Sequence, residues 1–345
     1  MRIVHWNVTK ENQPMTGVKR YEDELFRNIN KVLEKEERKW VVERIRRVEN
    51  KIIGSTFVSW IYKYRCKNAD IVHATEETVS PVINIRRPKK FIVTCHGLIP
   101  LRYPSTIKDF TTKIQWSLIP KALRKANRII AISEFTKREI MRMIEIEEDK
   151  IDVVYHGVDH SRYRPMDKEE CRRILGLDLD KKYILVISSN LEQKRMDIVK
   201  KVFDIIRKER DDVRLLKAGY GEKMEGEGII NVGWVAEDKI PILINSADVY
   251  FHPSEYESFG LPILEAMACG VPVVTSNKAS IPEIVGSYDN MVDLSSEDYV
   301  GEFCEKILRN IDNGKDNKAI ERSKRFSWEK TARETIKVYK MMIER

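Results

Sequence analysis

His252-Pro-Ser-Glu-Tyr-Glu-Ser-Phe-Gly-Leu-Pro-Ile-Leu-Glu-Ala-Met-Ala-Cys-Gly270 is the stretch on which the reading of this chain turns. Pro262 suits the first helical position, where its missing N–H costs nothing, and Gly270 suits the position just past a helix end. The pattern predicts a helix starting near Leu261, with Gly260 leaving room for a ligand to approach the backbone. N–H groups and the positive dipole end at such a start form an anion site suited to phosphate. Glu257 then falls in the loop before the helix and Glu265 in its first turn or just after. Taken singly, Glu265 reads as a helix-dipole complement, worth about 0.3–1 kcal/mol, and Glu257 as a solvated side chain. Taken together, with Gly260 and Pro262 between them, they point to one ligand. An ionised carboxylate only accepts hydrogen bonds, so each Glu would receive ligand hydroxyls. A ligand with both phosphate and vicinal hydroxyls is a nucleotide sugar.

Outward from this segment, short runs rich in Ile and Val alternate with longer charged helical stretches, the signature of βαβ units and a parallel sheet. Strands are expected at Arg2–Trp6, Ile71–His73, Phe91–Cys95, Arg128–Ile132 and Asp152–Tyr155. After an Asp-rich connector around Pro165–Asp180 they resume at Tyr183–Ser188, Val213–Ala218, Ile229–Val232, Val249–His252 and Pro272–Thr275. Single cores stop growing at roughly 250–300 residues, so the 345 residues predict two α/β domains in tandem. Ligands of open α/β sheets bind outside the carboxyl ends of the strands. There the unusual residues lie: Thr16-Gly17, His96-Gly97, Ser188 to Arg195, Gly219 to Gly221 and Ser254 to Gly260.

Composition excludes several classes. Hydrophobic residues make up 42%, with 15 Gly and 12 Pro, as in a globular rather than a disordered or fibrous chain. The longest stretch free of charged residues, Ala266 to Asn277, has 12 residues. A membrane-spanning helix needs about 20. The five cysteines contain no Cys-x-x-Cys pair. With an N-terminus that enters a strand without a signal-peptide core, they point to a reducing cytoplasm. Cys269 reads as a small core residue.

The net charge of +8 is uneven, +10 over residues 1–170 (34 basic, 24 acidic) and −2 over 171–345 (28 basic, 30 acidic). That asymmetry suggests an anionic partner for the first half, or simply a solvated basic face. Trp40 to Lys67 interleaves Val, Ile, Phe and Trp with Arg and Lys. It reads equally as a surface lying on an anionic membrane or as a helix pair with basic outer faces.

The two glutamates, with seven residues between them and Phe-Gly-Leu-Pro after the first, resemble the signature of the retaining family 4 glycosyltransferases. The resemblance continues along most of the chain. Ala126-Asn-Arg-Ile-Ile-Ala-Ile-Ser-Glu-Phe-Thr-Lys137, Tyr155-His-Gly-Val-Asp159, Asn231-Val-Gly-Trp-Val235, Ala247-Asp248 and Pro282-Glu-Ile-Val-Gly286 fall in family order. Phe326-Ser-Trp-Glu329 is similar to the start of the family's closing helix. It implies an α/β chain of the GT-B fold, two Rossmann-like domains facing a central cleft. Residues 1–165 would form an acceptor-binding domain, 170–325 a nucleotide-sugar-binding domain, and 326–345 a closing helix crossing back to the first.

By the same resemblance His96, at the strand-end Thr94-Cys-His-Gly97, approaches the transferred sugar. Lys194 or Arg195 stabilises the leaving diphosphate, in the loop Ser188 to Arg195 that includes Asn190. Many family members carry an Arg early in this loop, where this chain has Ser188 and Ser189. Glu257, Ser258, Phe259, Gly260, Leu261 and Glu265 meet the donor, with Glu257, His96 and Lys194 as the catalytic set. Gly17 opens a loop that faces the diphosphate, although Val18 and Lys19 replace the family's second glycine. Gly219-Tyr220-Gly221 resembles a strand-end turn, and since residue 224 is Met it is no dinucleotide fingerprint. The base would sit on the backbone around Gly233–Val235, with Trp234 either touching the base or packed in the core, packing being favoured. His156 and His252 also end strands and rank below His96.

The expected chemistry is sugar transfer from a UDP- or GDP-sugar to a glycan, lipid-linked or polysaccharide acceptor. It would use no metal or cofactor, and Asp178-Leu-Asp180 is read as a chance linker sequence. An oxocarbenium-like state would be stabilised by cations and helix-start N–H groups. Peripheral contact with an anionic membrane is the partner suggested by the basic half; nucleic acid is not expected, because it leaves Glu257 and Glu265 unexplained. A GT-B epimerase and a non-catalytic donor-binding subunit are the alternatives.

Overall fold

A computed structural model describes residues 1–46, 64, 66–107, 109–287 and 289–344. Two units emerge, Met1–Gly157 with Trp328–Arg345, and Val158–Ser327. Residues 158–165 group with the second unit, ahead of the boundary at 170. Arg162 pairs with Glu237 at 3.1 Å, and Asn245 Nδ2 donates to Arg164 O at 3.1 Å.

In the first unit, the described strands are β1 (Arg2–Trp6), β2 (Val41–Ile45), β3 (Ile71–Ala74), β4 (Phe91–Cys95), β5 (Arg128–Ala131) and β6 (Ile151–Val153). They pair in parallel in the order β2-β1-β3-β4-β5-β6. Strands β3, β4 and β5 are buried throughout, as a parallel sheet covered on both faces requires. β2 corrects the reading of Trp40 onward: Val41–Ile45 is an edge strand with Val41 exposed. Its weak alternation and three charged neighbours hid it among the basic residues. Residues 47–63 and 65 of that basic stretch lie outside the described residues. No described helix is long and apolar enough to cross a membrane.

The helix Trp328–Glu344 belongs to this unit because its polar groups are satisfied there. Its Tyr339 hydroxyl bonds His5 Nε2 at 2.9 Å and His73 Nδ1 at 2.7 Å, and Thr331 Oγ1 donates to Tyr155 O at 2.8 Å. A buried hydroxyl shared by two imidazoles fixes the helix rotation more narrowly than apolar packing alone.

In the second unit, the described strands are β7 (Lys182–Ile187), β8 (Val213–Ala218), β9 (Ile229–Gly233), β10 (Val249–His252), β11 (Val273–Ser276) and the short β12 (Met291–Val292). The order β12-β11-β10-β7-β8-β9 is again all parallel. Both sheets therefore have a point where strand order reverses, β1/β3 in the first and β7/β10 in the second. Such switch points are where ligands enter open α/β sheets.

Candidate active site

The β7/β10 switch point assembles the second unit's site. The loop after β7 brings Gln193, Lys194 and Arg195, and the loop after β10 brings Ser254 and Glu257. Backbone links join the two loops: Glu255 N donates to Gln193 O at 2.8 Å, as does Ser254 Oγ at 3.0 Å. Lys194 Nζ donates to Glu257 Oε1 at 2.5 Å, and His252 Nε2 lies 2.6 Å from the same oxygen. Because a carboxylate only accepts, Nε2 carries the hydrogen. Oε2 of Glu257 has no hydrogen-bond partner among the described residues. Burial opposes ionisation of Glu257, yet the Lys194 ammonium and the His252 hydrogen bond outweigh it and hold the carboxyl well below the usual range.

The helix expected near Leu261 spans Leu261–Ala268. Gly260 precedes it at φ +98°, in the left-handed region, and no side chain caps the helix start. Gly270 closes it at φ +74°. Leu261 and Glu265 are buried on the helix, and Cys269 is the core residue expected. Phe259 is buried edge-on to Phe326, while Ser258 is half-buried.

Arg195 does not share the place of Lys194. It adopts φ +52°, and its guanidinium reaches Asp197 at 3.0 Å and Glu255 at 3.6 Å. The structure thus separates the two cations that sequence left level: Lys194 is joined to Glu257, and Arg195 to carboxylates flanking the loop. Gly219 is structural, as a Cβ there would come 2.4 Å from Ser188 O. Gly221 abuts the Asn190 side chain in the same way, and Asn190 Nδ2 donates to Glu222 O at 3.0 Å. Gly219 N donates to Gly233 O at 2.7 Å, so the ends of β8 and β9 lie side by side. Trp234 is not a core residue: it is 52% exposed, and Tyr220 is 61% exposed. Each follows a positive-φ glycine at a strand end, which turns its side chain out of the sheet. Val235 is half-buried beside Trp234.

The first unit holds His96 and Gly17. Gly17 is exposed at the start of the helix Gly17–Lys35, whose N-cap Thr16 accepts from Lys19 N at 3.2 Å. Tyr21 of that helix meets the His96 ring edge-on at 4.7 Å and stacks on His156 at 4.9 Å. His96 Nε2 lies 2.9 Å from Thr75 O, which makes it the protonated nitrogen and leaves Nδ1 as an acceptor. Burial lowers its pKa to about 4, against the opposing Thr75 bond, so the ring is neutral at physiological pH.

Sequence reasoning passed over the acids at the end of β3. Glu77 Oε2 accepts from His96 N at 2.8 Å, and Glu76 accepts from Thr78 N at 2.9 Å. Burial pushes the Glu76 carboxyl up to about 7, and burial with Glu76 pushes Glu77 well above its ordinary value. The run Thr75-Glu-Glu77 after a strand was the available signal. Between about pH 4.3, where an unfolded Glu ionises, and about pH 7, the folded state binds the extra proton, so stability falls as pH rises. Glu76→Gln keeps an acceptor for Thr78 N. It is expected to match the wild type in denaturant melts below about pH 4 and exceed it by about 1–3 kcal/mol near pH 7. The buried imidazoles titrate alike in both proteins and cancel in the difference. Equal stability near neutral pH would place the Glu76 carboxylate in contact with water.

Among the described residues, no group of three His, Cys, Asp or Glu is placed to hold a metal ion. The five cysteines are free, and Asp178 caps Asp180 N at 2.9 Å in a local turn.

Comparison with known proteins places these sites in a family. The family model "Glycosyltransferase Family 4" matches residues 27–162, and "Glycosyl transferases group 1" matches 167–327. The O-antigen chain mannosyltransferase B of Escherichia coli is 28% identical, over 95% of this chain and 97% of its own. The serotype-specific mannosyltransferase WbdA of Escherichia coli is 25% identical over 79% of this chain, which spans 36% of that longer protein. In fold, sucrose-phosphate synthase from Thermosynechococcus elongatus matches 99% of both chains with a TM-score of 0.76 at 16% identity. Anabaena Alr3699/HepE, solved with UDP-glucose, matches 99% of this chain and all of its own, with a TM-score of 0.74 at 15% identity. These likenesses show the GT-B fold, with its two Rossmann-like domains. Matched in order along both halves, the chain belongs to the group 1, family 4-like glycosyltransferases and is an enzyme of that class.

Proposed function

We propose that this enzyme transfers a hexose, mannose by analogy with its relatives, from a UDP- or GDP-sugar to a hydroxyl of a glycan acceptor, with retention and without a metal. One observation carries the reading: Lys194 and Glu257 are joined at the β7/β10 switch point, three residues before the uncapped helix start at Gly260, and Glu257 Oε2 has no hydrogen-bond partner among the described residues. Oε2 accepts a sugar hydroxyl, and Lys194 moves to the diphosphate, where a charge-assisted hydrogen bond is worth about 1.5–3 kcal/mol. The sugar–phosphate C–O bond breaks as the acceptor oxygen bonds the same carbon from the same face, and the acceptor proton passes to the departing diphosphate. His96, in the first unit, offers a neutral ring whose Nδ1 accepts a hydrogen bond rather than carrying a charge.

Calorimetric titration of UDP, GDP and ADP in EDTA, repeated on Glu265→Ala, tests the donor site, and the anomeric configuration of the product by NMR tests retention. Metal-free binding of one nucleotide, weakened by the variant, and a product with the donor's configuration support the reading. Failure of all three to bind at millimolar concentration, or an inverted product, overturns it.

The exposed Trp234 and Tyr220 give the base a place to stack. Stacking on an aromatic side chain is worth about 1–3 kcal/mol, so Trp234→Ala should weaken nucleotide binding by about 5–150-fold. Wild-type fluorescence should change on titration with the same midpoint as the calorimetric curve. Undiminished affinity in Trp234→Ala would assign the base to backbone contacts alone.

A further inference from the structure

Lys194 Nζ and His252 Nε2 converge on one oxygen, Oε1 of Glu257, at 2.5 and 2.6 Å. The proposed donor would break this arrangement. Once Lys194 turns to a diphosphate, the buried carboxylate loses its ammonium, and a buried charge stripped of its partner is strongly unfavourable. His252 remains in place, itself buried. Its second nitrogen, Nδ1, faces the Tyr250 hydroxyl at 3.3 Å, and that hydroxyl reaches Ile187 O at 3.5 Å. The hydroxyl can therefore serve both states of the ring. It donates to Nδ1 when the imidazole is neutral. When the imidazole is charged, it accepts from Nδ1–H and donates to Ile187 O.

Among the described residues the ring nitrogens bond only the Glu257 carboxylate, through Nε2, and the Tyr250 hydroxyl, through Nδ1. Tyr250 comes from its own strand, Lys194 from the loop after β7 and Glu257 from the loop after β10. The helix Leu261–Ala268, packed on β10, carries Glu265. β11 contributes uncharged Thr275, whose Oγ1 donates to His252 O at 2.7 Å. The helix Tyr299–Ile311 meets the opposite face of β10, where Phe251 packs edge-on to Phe303 at 5.1 Å.

We infer that His252 takes up a proton at Nδ1 when Lys194 leaves Glu257 for an anionic ligand, so that an imidazolium replaces the ammonium beside the carboxylate. The proton comes from solvent and returns to it when Lys194 returns to Glu257. This role rests on the donor reading above and adds to it a proton linkage that the reading does not itself require.

The test is calorimetry of GDP-mannose and UDP-glucose at about pH 7, near the imidazole range, in buffers of different ionisation enthalpy. Both donors are phosphodiesters that do not titrate there, so any proton exchanged belongs to the protein. The expected result is a buffer-dependent heat showing uptake that approaches one proton per donor. His252→Gln, whose amide still donates to Oε1, should bind donor with no buffer dependence, and Tyr250→Phe should reduce the uptake. Buffer-independent heats in the wild type, or unchanged uptake in His252→Gln, overturn the inference and leave the donor reading standing. Binding of neither donor overturns both. The wild-type experiment decides even if His252→Gln does not fold.

Discussion

Lys194→Ala is expected to lower kcat/KM for sugar transfer by about 10²–10³-fold, the loss seen when one preorganised charge-stabilising donor is removed from an active site. The loss should fall mainly on kcat, because negative charge on the diphosphate grows as the glycosidic bond breaks and the ammonium is worth most then. A second consequence follows from the ion pair. Burial works against the Glu257 carboxylate, and Lys194 is the largest contribution opposing it. Its folded-state pKa is depressed, so the stabilisation is present above the ordinary Glu range and lost as pH falls through the folded value. Lys194→Ala should therefore melt lower than the wild type at neutral pH and converge with it in strong acid. Release of product nucleotide under initial-rate conditions measures the first effect, and scanning calorimetry against pH the second. Unchanged kcat/KM in a folded variant would remove Lys194 from the leaving-group role.

Asp248→Ala should produce the largest stability loss in the second unit. Asp248 is buried: Oδ1 accepts Lys168 Nζ at 2.6 Å, while Oδ2 accepts Arg172 Nη2 at 2.6 Å and Tyr183 N at 2.7 Å. Arg172 is itself buried, with its guanidinium 4.9 Å from the centre of the Tyr183 ring. Removing the carboxylate strands a buried cation and a strand N–H together, and breaking such a pair costs about 3–5 kcal/mol. For a unit of this size, each kcal/mol moves Tm by about 2–4 °C, so a drop of about 6–20 °C is expected by calorimetry. A shift under about 2 °C would show that water satisfies Arg172 once the carboxylate is gone.

The site was legible where local chemistry dictates backbone. Pro262 and Gly270 marked the helix ends because one lacks an N–H and the other accepts positive φ; Gly270 sits where expected, and Pro262 is the second helical residue rather than the first. Glu257 and Lys194 were singled out, but their direct contact was not legible, since 63 residues separate them. His252 was ranked low as a strand-end histidine, and only the fold of the loop after β10 turns Glu257 back onto it. Trp234 was left between base contact and core packing, with packing favoured; it is exposed, after the positive φ of Gly233. β2 was missed because an edge strand buries few side chains and shows little alternation.

By itself the sequence determined the α/β alternation, the family and the helix start behind the carboxylate pair. These follow from period, turn residues and caps, which act over a few positions along the chain. Tertiary structure decided which cation is joined to Glu257, which nitrogen of His96 carries the proton and how high Glu76 and Glu77 are pushed. These depend on burial and on partners contributed by other strands. Charge and proton placement respond to distances of a few ångströms through space, and spacing along the chain does not encode them.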